Sequence, residues 1–159
     1  MPTTHYGKIP TKLIHRSESM NFAMIGAACA LGFAATGSAV GAGIAGQAAI
    51  GAWKHSYMTN KPASFLLVAF AGAPLTQTIY GFILMSRMLV STVDPFFVLA
   101  AGIAGGLAIG MSAYAQGKAA AAGCDAFTET GKGYSNYLIV VGLCETIALF
   151  VLAFLFGAV

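Results

Sequence analysis

Charged side chains occur in this sequence almost entirely as punctuation. Glu18 to Lys54, Lys61 to Arg87, Asp94 to Lys118, and Lys132 to the C-terminus enclose four long stretches, and only the last contains a charge of its own. Each exceeds the roughly 20 apolar residues that a bilayer core requires. Only 8% of the 159 residues are charged and 58% are hydrophobic, whereas a soluble domain carries about 25% charged residues. Such a chain cannot cover a water-facing surface, so it reads as one small integral membrane unit. Backbone groups in lipid must satisfy one another, which makes these runs helices despite their glycines. The fold class is therefore an all-α membrane protein with four transmembrane helices, expected near residues 20–52, 63–90, 96–123 and 134–159. The segments "WKHSYMTNKP", "STVDP" and "CDAFTETGKG" read as short polar connections.

The formal charge of +3 lies in the N-terminal tail and the connections, so it bears on topology. No basic, aromatic-interleaved surface is present, which argues against nucleic acid as a partner. The three cysteines have neither a disulfide framework nor metal-ligand spacing. Cys29, Cys124 and Cys144 read as small packing residues.

Helices one and three are crowded with small residues, as in "GFAATGSAVGAGIAGQAAIGA" and "AGIAGGLAIGMSAYAQGKAAAAG". Gly37 with Gly41, Gly102 with Gly106, and Gly106 with Gly110 form GxxxG pairs. Small side chains let helix backbones approach closely where lipid offers no hydrophobic drive. Ordinary helix pairing and the tightly packed inner layer of a larger assembly both fit this pattern.

An internal repeat organises the rest. "PLTQTIYGF" (74–82) aligns with "GLCETIALF" (142–150), sharing Leu, Thr, Ile and Phe and setting Gln77 opposite Glu145. "SAVGAG" (38–43) aligns with "SAYAQG" (112–117), setting Ala42 opposite Gln116. The chain divides into a polar extension (1–19), a first hairpin (20–90) and a second hairpin (91–159) that carries the acid. Two hairpins in series insert in the same orientation, so the duplication is parallel.

Glu145 is the one charged side chain between Tyr134 and Val159. A charge at the bilayer centre costs about 2.5–3.5 kcal/mol on insertion scales. Its carboxylate must therefore be neutralised, by a proton or by a bound cation. A protonated glutamate bonding a neighbouring helix is the structural alternative. Carrying one positive charge reversibly is the functional one, and it is the chemistry of ion translocation. Ala73, Thr76, Gln77 and Tyr80 stand at i, i+3, i+4 and i+7, on one face of helix two. They offer a hydroxyl, an amide carbonyl and a phenol able to donate to Glu145. Pro74 loosens the backbone near residues 70–73, freeing a carbonyl as a further oxygen ligand. Gln116, two residues from the boundary residue Lys118, is able to reach the same place; Lys118 itself is expected to snorkel.

Together "PLTQTIYGF", "AYAQGKAAAAG" and "GLCETIALF" resemble the proteolipid subunit K of bacterial V-type (V/A-type) ATPases and ATP synthases, from about Met20 to the C-terminus. The resemblance implies a homo-oligomeric rotor ring in the bacterial plasma membrane, built from a multi-pass protein with no cofactor and no catalysis of its own. It implies that Glu145 is the ion carrier and that the first hairpin has lost its acid, with Gln77 in its place. In sodium-translocating members the ion is held by oxygens that correspond to the Ala73 backbone, Thr76, Gln77, Gln116 and Glu145, with Tyr80 bonding the carboxylate. An all-oxygen shell suits a hard cation, so Na⁺ is the expected cargo, with H⁺ the alternative.

The same resemblance implies a stator subunit whose membrane arginine attracts the unloaded carboxylate, and a central stalk touching the hairpin loops. Soluble subunits would couple rotation to ATP. Lys54, Lys61, Lys118 and Lys132 would then lie in the cytoplasm and Arg87 outside, as the positive-inside rule expects. The tail "MPTTHYGKIPTKLIHRSES" departs from this, because Lys8, Lys12 and Arg16 would lie outside. It also lacks the apolar region of a signal peptide, and translation from Met20 is one explanation. A small four-helix cation-coupled multidrug exporter is the rival reading, but such exporters carry the acid in the first helix with inverted symmetry. A purely structural scaffold leaves the polar residues around Glu145 without a purpose.

Overall fold

The protein is described by a computed structural model covering residues 11–159, with side chains from residue 21 onward. Five α-helices follow one another: α1 (Thr11–Met58), α2 (Leu67–Gly72), α3 (Thr76–Leu89), α4 (Pro95–Thr130) and α5 (Tyr134–Ala158). A 3₁₀ turn, Ala73–Leu75, joins α2 to α3, so these two make one span. Four segments are thus long and apolar enough to cross a bilayer: Asn21–Met58, Leu67–Leu89, Pro95–Thr130 and Tyr134–Ala158. No strand occurs among the described residues.

Several boundaries differ from those read off hydropathy. α1 runs on past Ala52 to Met58, because a helix need not stop where its apolar run does. The turn after it passes through Asn60, whose φ of 55° is left-handed, shortly before Pro62, and Trp53 Nε1 ties that turn by donating to Ser64 O at 2.7 Å. α4 likewise continues through most of "CDAFTETGKG" to Thr130. It stops only where Gly131 takes φ 67°, a conformation glycine adopts without a Cβ penalty. The single helix expected over 63–90 is interrupted at Pro74, which sits in the 3₁₀ turn. By contrast Asp94 behaves as a conventional cap, accepting from the Phe96 and Phe97 amides ahead of Pro95. Of the expected N-terminal extension, residues 11–19 belong to α1 and residues 1–10 lie outside the described part.

The glycine stripes bring α1 and α4 together. A Cβ built on Gly37 would strike the backbone of Gly110, one on Gly102 the backbone of Gly26, and one on Gly117 the backbone of Gly41. Residue numbers rise together along this seam, so α1 and α4 are parallel. The α2–α3 span and α5 also run parallel to each other: Phe70 meets Tyr134, Tyr80 meets Glu145, and Arg87 lies over Phe156. Two hairpins of the same orientation are therefore packed through their glycine-rich helices. α4 is the central element, half of its most apolar window being buried against 11% for α5. The apolar side chains of α5, such as Ile139, Leu143, Ile147, Phe150 and Phe154, face outward.

The core has two apolar storeys. One gathers Ala27, Ala30, Ala34, Leu84, Met88, Val98, Ile109 and Ala148. The other gathers Ala45, Ala49, Leu67, Phe70, Ala120, Cys124 and Val141, with Tyr134 and Tyr137 against it. Between them lies a polar layer containing the buried Ser38, Gln77, Ser112 and Gln116.

Candidate functional site

The polar layer sits at mid-span. Gln77 is eleventh of the 23 residues of its span and Glu145 twelfth of the 25 of its own. The 3₁₀ turn at Pro74 places the Thr76 and Gln77 side chains at the start of α3. There the Ala73 carbonyl accepts from the Thr76 amide and from Thr76 Oγ1 at 3.1 Å. The Ala73 carbonyl, expected to be freed by Pro74, is thus already engaged by two donors of Thr76. Thr76 Oγ1 also stands 3.2 Å from Gln77 Oε1.

From Gln77 the network crosses to α4 and then to α5. Gln77 Nε2 donates to Gln116 Oε1 at 2.7 Å, and both side chains are fully buried. Gln116 Nε2 donates in turn to Val141 O at 3.2 Å and to Glu145 Oε2 at 3.3 Å. Tyr80 closes the other side, its hydroxyl 2.5 Å from Glu145 Oε1. The half-buried carboxylate therefore receives one neutral donor on each oxygen, from two different helices. Ala73, Thr76, Gln77, Tyr80, Gln116 and Glu145 all meet in one layer. Lys118 stays out of it, exposed, with its ammonium 5.5 Å from the Tyr114 ring centre.

Two contributors carry no obvious mark in the sequence. Ser112 Oγ donates to Cys144 O at 2.6 Å, pinning the α5 backbone one residue before the carboxylate. A signal does exist for it: Ser112 lies one helical turn before Gln116, at the repeat position of Ser38. Ser38 Oγ is buried with no hydrogen-bond partner among the described residues, so the two repeats have diverged here. The Val141 carbonyl is the other contributor, and a backbone acceptor leaves no trace in a sequence.

Among the described residues no three His, Cys, Asp or Glu side chains cluster as metal ligands. What converges is one carboxylate with neutral hydroxyl, amide and backbone oxygens. A single negative charge in hydrocarbon becomes cheap only when one positive charge, a proton or a cation, neutralises it. The fold and this layer define a class: a multi-pass proteolipid of tandem hairpins with one intramembrane acid.

Comparison with known proteins narrows the class. Residues 99–156, most of the second hairpin, match the ATP synthase C-subunit family. Over 129 residues, 79% of the chain, the sequence is 37% identical to the A-type ATP synthase subunit K of Methanocaldococcus jannaschii. These matches support a V/A-type proteolipid subunit. The chain spans 56% of that relative's length, a little over half.

Proposed function

We propose that the chain is the ion-translocating rotor-ring subunit of a V/A-type ATPase or ATP synthase, carrying one cation on Glu145. The observation that carries this reading is the mid-span carboxylate held by Tyr80 and Gln116, with the buried Gln77–Gln116 pair behind it. On this reading the unloaded carboxylate is solvated by those donors and by a stator arginine. Loading cancels the charge, and the neutral site can then face lipid. Each charge that crosses 100 mV is worth about 2.3 kcal/mol. The chain catalyses nothing itself; ATP chemistry belongs to soluble subunits of the complex, reached through a central stalk at the hairpin loops.

The cargo is Na⁺ in this proposal, held by Ala73 O, Thr76, Gln77, Gln116 and Glu145, with H⁺ as the alternative. Identical chains form the ring, and the membrane is the plasma membrane of a bacterium. The division at residues 20–90 and 91–159 is the proposed duplication, in which Gln77 has replaced the first hairpin's acid. The parallel hairpins and the acid in the last helix disfavour a small multidrug exporter.

Labelling with a hydrophobic carbodiimide tests the cargo. At a pH where Glu145 reacts, Na⁺ should slow the modification in proportion to site occupancy. A rate indifferent to Na⁺ would leave H⁺ as the cargo.

A further inference from the structure

The direction of the two glutamine amides is dictated by their surroundings. Val141 O is a backbone carbonyl and can only accept, so the end of Gln116 that faces it at 3.2 Å must be the NH₂. The same NH₂ group spends its second hydrogen on Glu145 Oε2. Gln116 Oε1 then points the other way, towards Gln77, and Gln77 must meet it with its own NH₂, 2.7 Å away. Gln77 Oε1 is left facing Thr76 Oγ1 at 3.2 Å.

A cation tolerates only lone pairs as neighbours. Gln116 already aims its carbonyl oxygen inward while keeping its amide anchored on Val141 O. Gln77 aims a donor at the same point. We propose that Gln77 is the specificity-determining residue of the site: its NH₂ is a plug seated on the Gln116 carbonyl. Na⁺ enters only by turning the Gln77 amide half a revolution, which replaces Nε2 by Oε1. Gln116 need not turn, because its oxygen is already placed. A proton added to Glu145 requires no acceptor from Gln77, so H⁺ leaves the plug seated. The two cargoes are thereby separated by the movement of one side chain. This inference rests on the Na⁺ reading above and adds to it a moving part.

The chain contains three glutamines, Gln47, Gln77 and Gln116, and Gln47 lies exposed on α1, clear of the polar layer. Glutamine labelled with ¹³C at Cδ and ¹⁵N at Nε, incorporated into the full chain in lipid bilayers, therefore gives a simple solid-state NMR spectrum. Gln77→Leu and Gln116→Leu assign the signals. A cross-peak from Gln77 Nε2 to Gln116 Cδ is expected in Na⁺-free buffer and is lost on adding Na⁺. With valine also labelled at its carbonyl carbon, the Gln116 Nε2 contact to the Val141 carbonyl persists. Acidification without Na⁺ keeps the cross-peak. Survival of the cross-peak at a Na⁺ concentration that protects Glu145 from carbodiimide overturns the plug and leaves the Na⁺ site standing. Loss of the cross-peak on acidification alone overturns the discrimination. Absence of any Na⁺ protection overturns both the plug and the Na⁺ reading.

Discussion

At the scale of single residues, the proposed ion site divides its work between Glu145 and Tyr80. The carboxylate supplies the charge, and the phenol fixes which way it points, through a bond of 2.5 Å. Glu145→Gln keeps the side chain's shape and removes the charge. Carbodiimide labelling and ion transport should vanish while the protein still assembles in the membrane, as judged by its yield and oligomer mass; retained transport would remove Glu145 from its role. Tyr80→Phe keeps the ring and deletes one donor to a charged group, an interaction worth about 1.5–3 kcal/mol. The carboxylate should then need roughly ten- to hundredfold more Na⁺ for the same protection from labelling, with the maximum labelling rate raised. An unchanged Na⁺ dependence would show that Tyr80 packs against the carboxylate without orienting it. Much of this layer was legible because polar side chains are conspicuous in an apolar run. Ser112 stayed hidden because a helical serine is ordinarily satisfied by its own backbone, and only the fold shows its hydroxyl reaching Cys144 O on α5.

At the scale of elements, the seam between α1 and α4 decides whether the layer can form. Both helices present backbone instead of side chains there, which sets α4 close enough to carry Gln116 between Gln77 and Glu145. The GxxxG spacing announced close packing, yet could not say that the partners were α1 and α4 in parallel. That follows from the parallel duplication only once the two hairpins are laid side by side. Helix ends were read less well, since hydropathy marks the bilayer boundary and α1 and α4 continue past it. Gly37→Ala should be costly, because its Cβ would meet the Gly110 backbone, which has no rotamer to change. Overpacking of this kind costs about 1–3 kcal/mol. Gly43→Ala serves as a control, as no atom lies within 4 Å of its Cβ position. Thermal denaturation in detergent should rank Gly37→Ala well below the wild type and Gly43→Ala close to it. Equal stability of the two variants would mean that the seam is looser than its geometry.

At the scale of the whole molecule, four spans surround one acid among the described residues. The other acids with described side chains, Asp94, Asp125 and Glu129, are exposed, and Glu18 precedes the first span, Asn21–Met58. In the first hairpin the position equivalent to Glu145 holds Gln77, which the fold uses as part of the second hairpin's site. Gln77 and Glu145 thus share one polar layer, with apolar storeys above and below it. On the proposed rotor reading, a ring of such chains would move one charge for every four helices that pass the stator. For a given circumference that is half the number of ions per turn that one acid per hairpin would give, so fewer ions drive or follow each rotation. The consequence is a stoichiometry that can be counted. Exhaustive reaction of the membrane-embedded protein with a hydrophobic carbodiimide should add one adduct per chain, at Glu145, and the intact mass should show no second addition. Glu145→Gln should show none. Restoring an acid to the first hairpin with Gln77→Glu should raise the count towards two in labelling. It should also abolish Na⁺ protection, because two carboxylates in one layer leave an uncompensated charge when a single cation binds. A second adduct in the wild type, or a Gln77→Glu variant that still binds one Na⁺ and turns normally, would show that the layer is not a one-charge device.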